Sequence, residues 1–173
     1  RSQFNQPIDK WDVSNVTNMS RMFSISPLNQ FPNGNLFNQP IGNWDVSNVT
    51  DMSFMFYESS FNQPIGNWDV SNVTNMTHLF SGSIDSYGSF NQPIGNWDVS
   101  NVTNMSGMFQ QSPFNQPIGN WDVSNVTNMG GMFYESPFNQ PIENWDVSNV
   151  TTMSSMFDGS QFNQPIENWD ESS

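Results

Sequence analysis

Seven tryptophans are each followed directly by an aspartate, and this pairing is the first place to look for chemistry. If the units that carry them stack, Asp12, Asp45, Asp69, Asp98, Asp122, Asp146 and Asp170 line one edge as a row of carboxylates. Like charges ~5 Å apart repel by roughly 3 kcal/mol at an effective dielectric of about 20, so such a row needs compensation. One reading is that each carboxylate accepts N–H bonds from the Ser-Asn backbone that follows it, as Asp does in turns and caps. The other is a ladder of calcium sites, because calcium gathers oxygen ligands from carboxylates, carbonyls and amides. No EF-hand loop or nonapeptide calcium repeat is present, so calcium is the one cofactor suggested, and geometry alone suggests it.

Two further rows keep the same phase. Asn15, Asn48, Asn72, Asn101, Asn125 and Asn149 each open an Asn-Val-Thr triplet, which matches the glycosylation acceptor pattern but reads first as a structural amide ladder. The threonines that close those triplets form a regular hydroxyl row, which suits helix capping and, as a lesser alternative, an ice-binding surface. Catalysis finds little to work with. There is one histidine, His78, and no cysteine, and a ladder of identical Asp residues gives no reason for one to be acid and its neighbour base. The expectation is a protein that is not an enzyme.

Composition narrows the partners. A formal net charge of −13, with Arg1, Lys10 and Arg21 the only basic residues, repels nucleic acid and anionic lipid headgroups. Without cysteine there is no disulfide framework or thiolate metal site. No apolar run approaches the ~18 residues of a membrane span, and no signal peptide is expected. Only 35% of residues are hydrophobic, yet seven Trp, fifteen Phe and eleven Met supply bulky groups for a narrow core, which argues against disorder.

These residues are positioned by a repeat. FNQPI begins at Phe4, Phe37, Phe61, Phe90, Phe114, Phe138 and Phe162, a basic period of 24 residues with two longer intervals of 33 and 29. The extra residues fall at 24–36 and 81–89, both between the Met-Phe or Leu-Phe pair and the next FNQPI, and read as loops on one edge. Within a unit, Trp121 and Val123 are two apart, the spacing of a short strand, whereas Met129, Met132 and Phe133 follow the i, i+3, i+4 spacing of a helical face. Pro117 precedes the strand, and Ser124 or Thr127 is placed to cap the helix. No unit can bury its apolar face alone, so the copies must stack. The expected architecture is an α/β, right-handed, leucine-rich-repeat-like solenoid of about seven coils over 1–173. Parallel strands form one face and short helical turns the other. Neither end carries a recognisable polar cap, so a fragment of a longer array, or a chain that stacks end to end, is expected.

The string FNQPIGNWDVSNVTNMSGMF, from Phe90 to Phe109, resembles the BspA-like bacterial surface-protein repeat, a divergent branch of the leucine-rich repeats, and the resemblance covers essentially the whole chain. The resemblance implies an extracellular or cell-surface adhesion module that binds a protein or glycan ligand. The alternative is a structural subunit that assembles end to end into a filament, coat or appendage.

Comparing copies within the chain shows where the repeat is free to vary. The pair before the second Met, or its Leu79 counterpart, reads Ser20-Arg21, Ser53-Phe54, Thr77-His78, Ser106-Gly107, Gly130-Gly131 and Ser154-Ser155, and a second variable segment follows the Met-Phe pair. Arg21, Phe54, Tyr57, His78, Tyr87 and Tyr134, with the two long loops, are the candidates for partner contact, because exposed aromatics and Arg dominate binding energy where interfaces exist.

Overall fold

Each 24-residue unit closes one coil by a succession of tight turns. In the unit that starts at Phe114, the N–H of Trp121 donates to Ile118 O at 3.1 Å, Val126 to Val123 O at 2.9 Å, Met132 to Met129 O at 3.2 Å and Ser136 to Phe133 O at 3.1 Å. Every one of these bonds spans three residues, the signature of a β-turn. The computed structural model describes residues 4–24, 35–84 and 86–169, and coils 1 to 7 are numbered here by their opening Phe residues. The loop at 24–36 therefore lies mostly outside the described residues, as does Asp170.

The expected α/β leucine-rich-repeat-like solenoid is overturned. Among the described residues there is no helix, and pairing between coils consists of isolated bridges rather than strands or a sheet. The spacing of Met129, Met132 and Phe133 misled because consecutive turns also return an apolar side chain to the same side every third residue. The decisive difference is where the alternate N–H groups go. Met129 donates to Thr152 O at 2.8 Å, Gly131 to Ser154 O at 2.9 Å and Phe133 to Met156 O at 2.9 Å, all in the next coil. An α-helix would commit these donors to carbonyls four residues back in its own chain and leave the coil nothing with which to hold its neighbour. Trp121 and Val123 are both buried, but turns flank them on either side, so no strand forms. The bridges between coils, such as Asn104 to Asn128 and Asn128 to Thr152, are parallel.

On the other side of the coil the bonds point backward. Thr127 N–H donates to Thr103 O at 2.9 Å, and the indole N–H of Trp121 donates to Ile94 O at 3.2 Å. Asn139 N–H and Gln140 Nε2 both donate to the Asn115 carboxamide oxygen, at 3.0 Å and 3.2 Å. Among the described residues no buried side-chain polar atom lacks a partner. Buried amides cost free energy unless paired, so the Asn and Gln rows satisfy the interior of the stack.

Two interleaved rows of phenylalanine fill the core. The Met-Phe ring of one coil stacks on the FNQPI ring of the next, with centroids 4.1 Å apart for Phe56 and Phe61 and 4.0 Å for Phe109 and Phe114. Coil-to-coil register does not depend on the length of the connection. Trp44 reaches Ile8 O at 3.0 Å across a 36-residue separation, and Trp121 makes the equivalent bond across 27.

Candidate functional site

The variable pair found by comparing copies fills the two central positions of a turn, and its second member is where the backbone turns left-handed. Arg21 has φ 59°, Phe54 57°, His78 50° and Ser155 54°, and Gly107 and Gly131 occupy the same slot at 61° and 63°. With the turn bonds Met55 to Met52 and Leu79 to Met76, this is the pattern of a type II turn, which favours glycine. A residue with a Cβ held there costs roughly 1–2 kcal/mol, and such strain collects at functional positions. The conformation is held because each residue's own N–H is bonded to the next coil: Arg21 to Ser53 O at 3.0 Å, Phe54 to Thr77 O at 2.8 Å and His78 to Ser106 O at 2.9 Å.

These turns bring four of the sequence candidates into one ladder. The Arg21 guanidinium lies 4.1 Å from the Phe54 ring centroid. Phe54 stacks on His78 at 4.9 Å, and Tyr57 meets both rings edge-on, at 5.7 Å and 6.3 Å. The imidazole lies over Gly107, where any Cβ would collide with it. Burial, and then the Arg21 charge, push the His78 imidazolium to lower pKa, so the ring is neutral at pH 7. Burial first, then a hydrogen bond to Glu58 and that residue's charge, push the Tyr57 phenol up to about 12 and keep it a donor.

Beside the ladder stands the loop 81–89. Its root residue Ser81 is buried with Oγ 3.1 Å from His78 Nδ1. Ser83 and Ser86 pair across it, and Ile84 and Tyr87 project from it, 82% and 61% exposed. Ile84 was missed in the sequence, where a lone isoleucine in a Ser-Gly loop was the available signal. Tyr134 occupies the slot of Tyr57 three coils along and is not part of the ladder; the Glu135 charge raises its phenol pKa.

The aspartate row is occupied locally. Asp122 Oδ1 accepts from Ser124 N–H at 3.1 Å and from Ser124 Oγ at 2.6 Å, and the same pair of bonds recurs at Asp12, Asp45, Asp69 and Asp98. Asp146 accepts from Ser148 N–H at 3.0 Å. The serine hydroxyl, then its N–H, hold Asp45, Asp69 and Asp122 below 3.8, and repulsion from the neighbouring aspartate is the smallest influence on each. Among the described residues no three Asp, Glu or His side chains gather as a metal site. The threonine hydroxyls are also engaged, Thr127 Oγ1 donating to Thr103 O at 3.2 Å, and the triplet asparagines bind back to the preceding coil, Asn125 Nδ2 to Ser100 O at 2.7 Å.

The aspartates predict an acid response. Their folded pKa lies below the unfolded value, so the unfolded chain binds more protons in that window and stability falls as pH drops through it. The urea midpoint should be flat above about pH 5 and fall below about pH 4, around the ordinary carboxylate pKa. The fall should be shallower in the Ser71→Ala, Ser124→Ala double variant. An equal fall in both proteins would assign the acid response to other groups.

Stacked coils, internal amide ladders and a variable turn edge define a repeat protein. The family described as Mycoplasma protein of unknown function, DUF285, matches residues 1–84, 28–136 and 82–173, overlapping matches that follow from the repeat, and the chain belongs to this family. No curated protein and no solved structure matches it. No helix is long and apolar enough to cross a membrane among the described residues.

Proposed function

We propose that the chain is a non-enzymatic binding module that works at a cell surface or outside the cell, and that its turn edge takes a protein or glycan partner. The observation that carries this reading is the coincidence of strain and aromatic side chains. Arg21, Phe54 and His78 hold left-handed conformations in a slot where Gly107 and Gly131 do so without a Cβ penalty. Beside them a loop adds Ile84 and Tyr87, both well exposed. The likeness of the repeats to BspA-like surface proteins supports the same reading.

The test is a panel of immobilised matrix proteins and cell-surface glycans, probed with the 173-residue chain and with the Ile84→Ser, Tyr87→Ala variant. Both changes lie on an exposed loop and should leave the unfolding curve unchanged. Saturable binding to a panel member should weaken by about 30-fold, the loss of one aromatic hot spot. Binding that is absent from the panel, or unaltered in the variant, would remove the turn edge as the partner surface.

A further inference from the structure

A second surface, away from the turn edge, carries its own chemistry. The Pro-Ile-Gly-Asn-Trp segments of coils 4 and 5 and the Pro-Ile-Glu-Asn-Trp segment of coil 6 stack side by side and leave an open trench of about 490 Å³. It is lined by Pro93, Pro117 and Pro141, by Asn96, Asn120 and Asn144, and by Gly95 and Gly119. We propose that this trench binds an extended, uncharged glycan chain.

The carboxamides point to a ligand because they stand apart from the other amide rows. Asn115 is spent on the next coil's Asn139 and Gln140, Asn125 on Ser100 O, and Asn128 on Gly130 N–H. The side chains of Asn96, Asn120 and Asn144 make no bond to the protein and are exposed. A free carboxamide offers both donors and an acceptor, which is what a sugar hydroxyl requires. The proline rings between them present apolar C–H surface of the kind that packs on the faces of sugar rings.

The floor explains why the trench is open. At Gly95 and Gly119 a Cβ would sit 2.7 Å from the carbonyl oxygen of Pro117 and of Pro141, so the next coil's backbone occupies the space a side chain would need. The corresponding position holds Asp9 in coil 1 and Glu143 in coil 6, which sets a carboxylate toward each end of the glycine run. No charged side chain lines the trench, and the chain as a whole carries −13, so a polyanion is disfavoured and a neutral polymer is not. The rings on either side of the wall recur from coil to coil at 6.3 Å for Phe114 and Phe138 and 6.5 Å for Trp121 and Trp145. One carboxamide and one proline ring per coil thus suit a polymer that offers one sugar per step.

This site is independent of the turn-edge reading, and the test separates them. The 173-residue chain is run in native gels that contain soluble mixed-linkage β-glucan, galactomannan or dextran sulfate. The comparison proteins are the Asn96→Ala, Asn120→Ala, Asn144→Ala variant and Tyr57→Ala. The asparagine side chains make no internal bonds, so the triple variant should unfold at the wild-type temperature. Retardation by at least one neutral polymer is expected, weakened about tenfold or more in the triple variant and unchanged in Tyr57→Ala. No retardation by either neutral polymer, retardation that survives the triple variant, or retardation by dextran sulfate alone would overturn the proposal.

Discussion

Phe109→Ala is expected to lower the unfolding free energy by about 3–5 kcal/mol, the cost of deleting a fully buried aromatic ring. The Phe109 ring is 0% exposed. It lies 4.0 Å from Phe114, 5.9 Å from Phe80, 5.8 Å from Phe133 and 6.4 Å from Trp121, centroid to centroid. Its removal therefore breaks both phenylalanine rows at one level and leaves a cavity between coils whose spacing is fixed by backbone bonds. Each coil is stabilised chiefly by its neighbours, so the break should also reduce cooperativity across the stack. Urea titrations followed by tryptophan fluorescence would show a lower midpoint and a broadened transition. Phe157→Ala, at the half-buried counterpart two coils along, should cost clearly less. Equal losses at the two positions would mean that the rings do not act as a continuous core.

The second large effect is expected at Gly82→Ala. A Cβ there would meet the backbone N of Gly88, the carbonyl oxygen of Gln111 at 2.6 Å and that of Ser86 at 2.7 Å. All three neighbours are backbone and cannot swing aside. Gly82 N–H is also bonded to Gln110 O at 2.8 Å and Gly88 N–H to Gln111 O at 3.1 Å, so a shift of the loop root would stretch the bonds that tie it to coil 4. A destabilisation of about 1–3 kcal/mol is expected, the usual range for overpacking. Gly130→Ala is the control, since its Cβ would meet only side-chain atoms at 3.3 Å or beyond, and it should stay within about 0.5 kcal/mol of wild type. Amide exchange at residues 82–88 would speed up in Gly82→Ala alone if the loop root is the weak point.

The repeat, its phase and the buried rows were readable in the sequence because every Trp and every Met recurs at a fixed offset from FNQPI. Local backbone was harder. Met129, Met132 and Phe133 satisfy a helix and a run of turns equally well, and what separates the two is the destination of alternate N–H groups, a property of the neighbouring coil. Gly107 and Gly131 did hold a clue, since two glycines in one repeat slot suggest positive φ there. The presence of Arg21, Phe54 and His78 in that slot hid it. Their variability was legible; their stacking on one another was not, because it depends on strained turns that bring side chains from successive coils into line. The trench asparagines were invisible for the opposite reason. In the sequence they look like every other asparagine, and only the bonding of the rest marks them as uncommitted.

The opposed directions of the bonds between coils have a consequence for length. Met129 N–H points forward to coil 6, whereas Thr127 N–H points back to coil 4. A helix aligns all its peptide dipoles and gathers a partial charge at each end. Here the two sides are unequal: Met129, Gly131, Phe133 and Glu135 all donate forward, while Thr127 alone donates back to a backbone carbonyl. Each added coil therefore lengthens a net dipole whose N–H end faces the later coils and whose carbonyl end faces the earlier ones, the reverse of a helix's polarity.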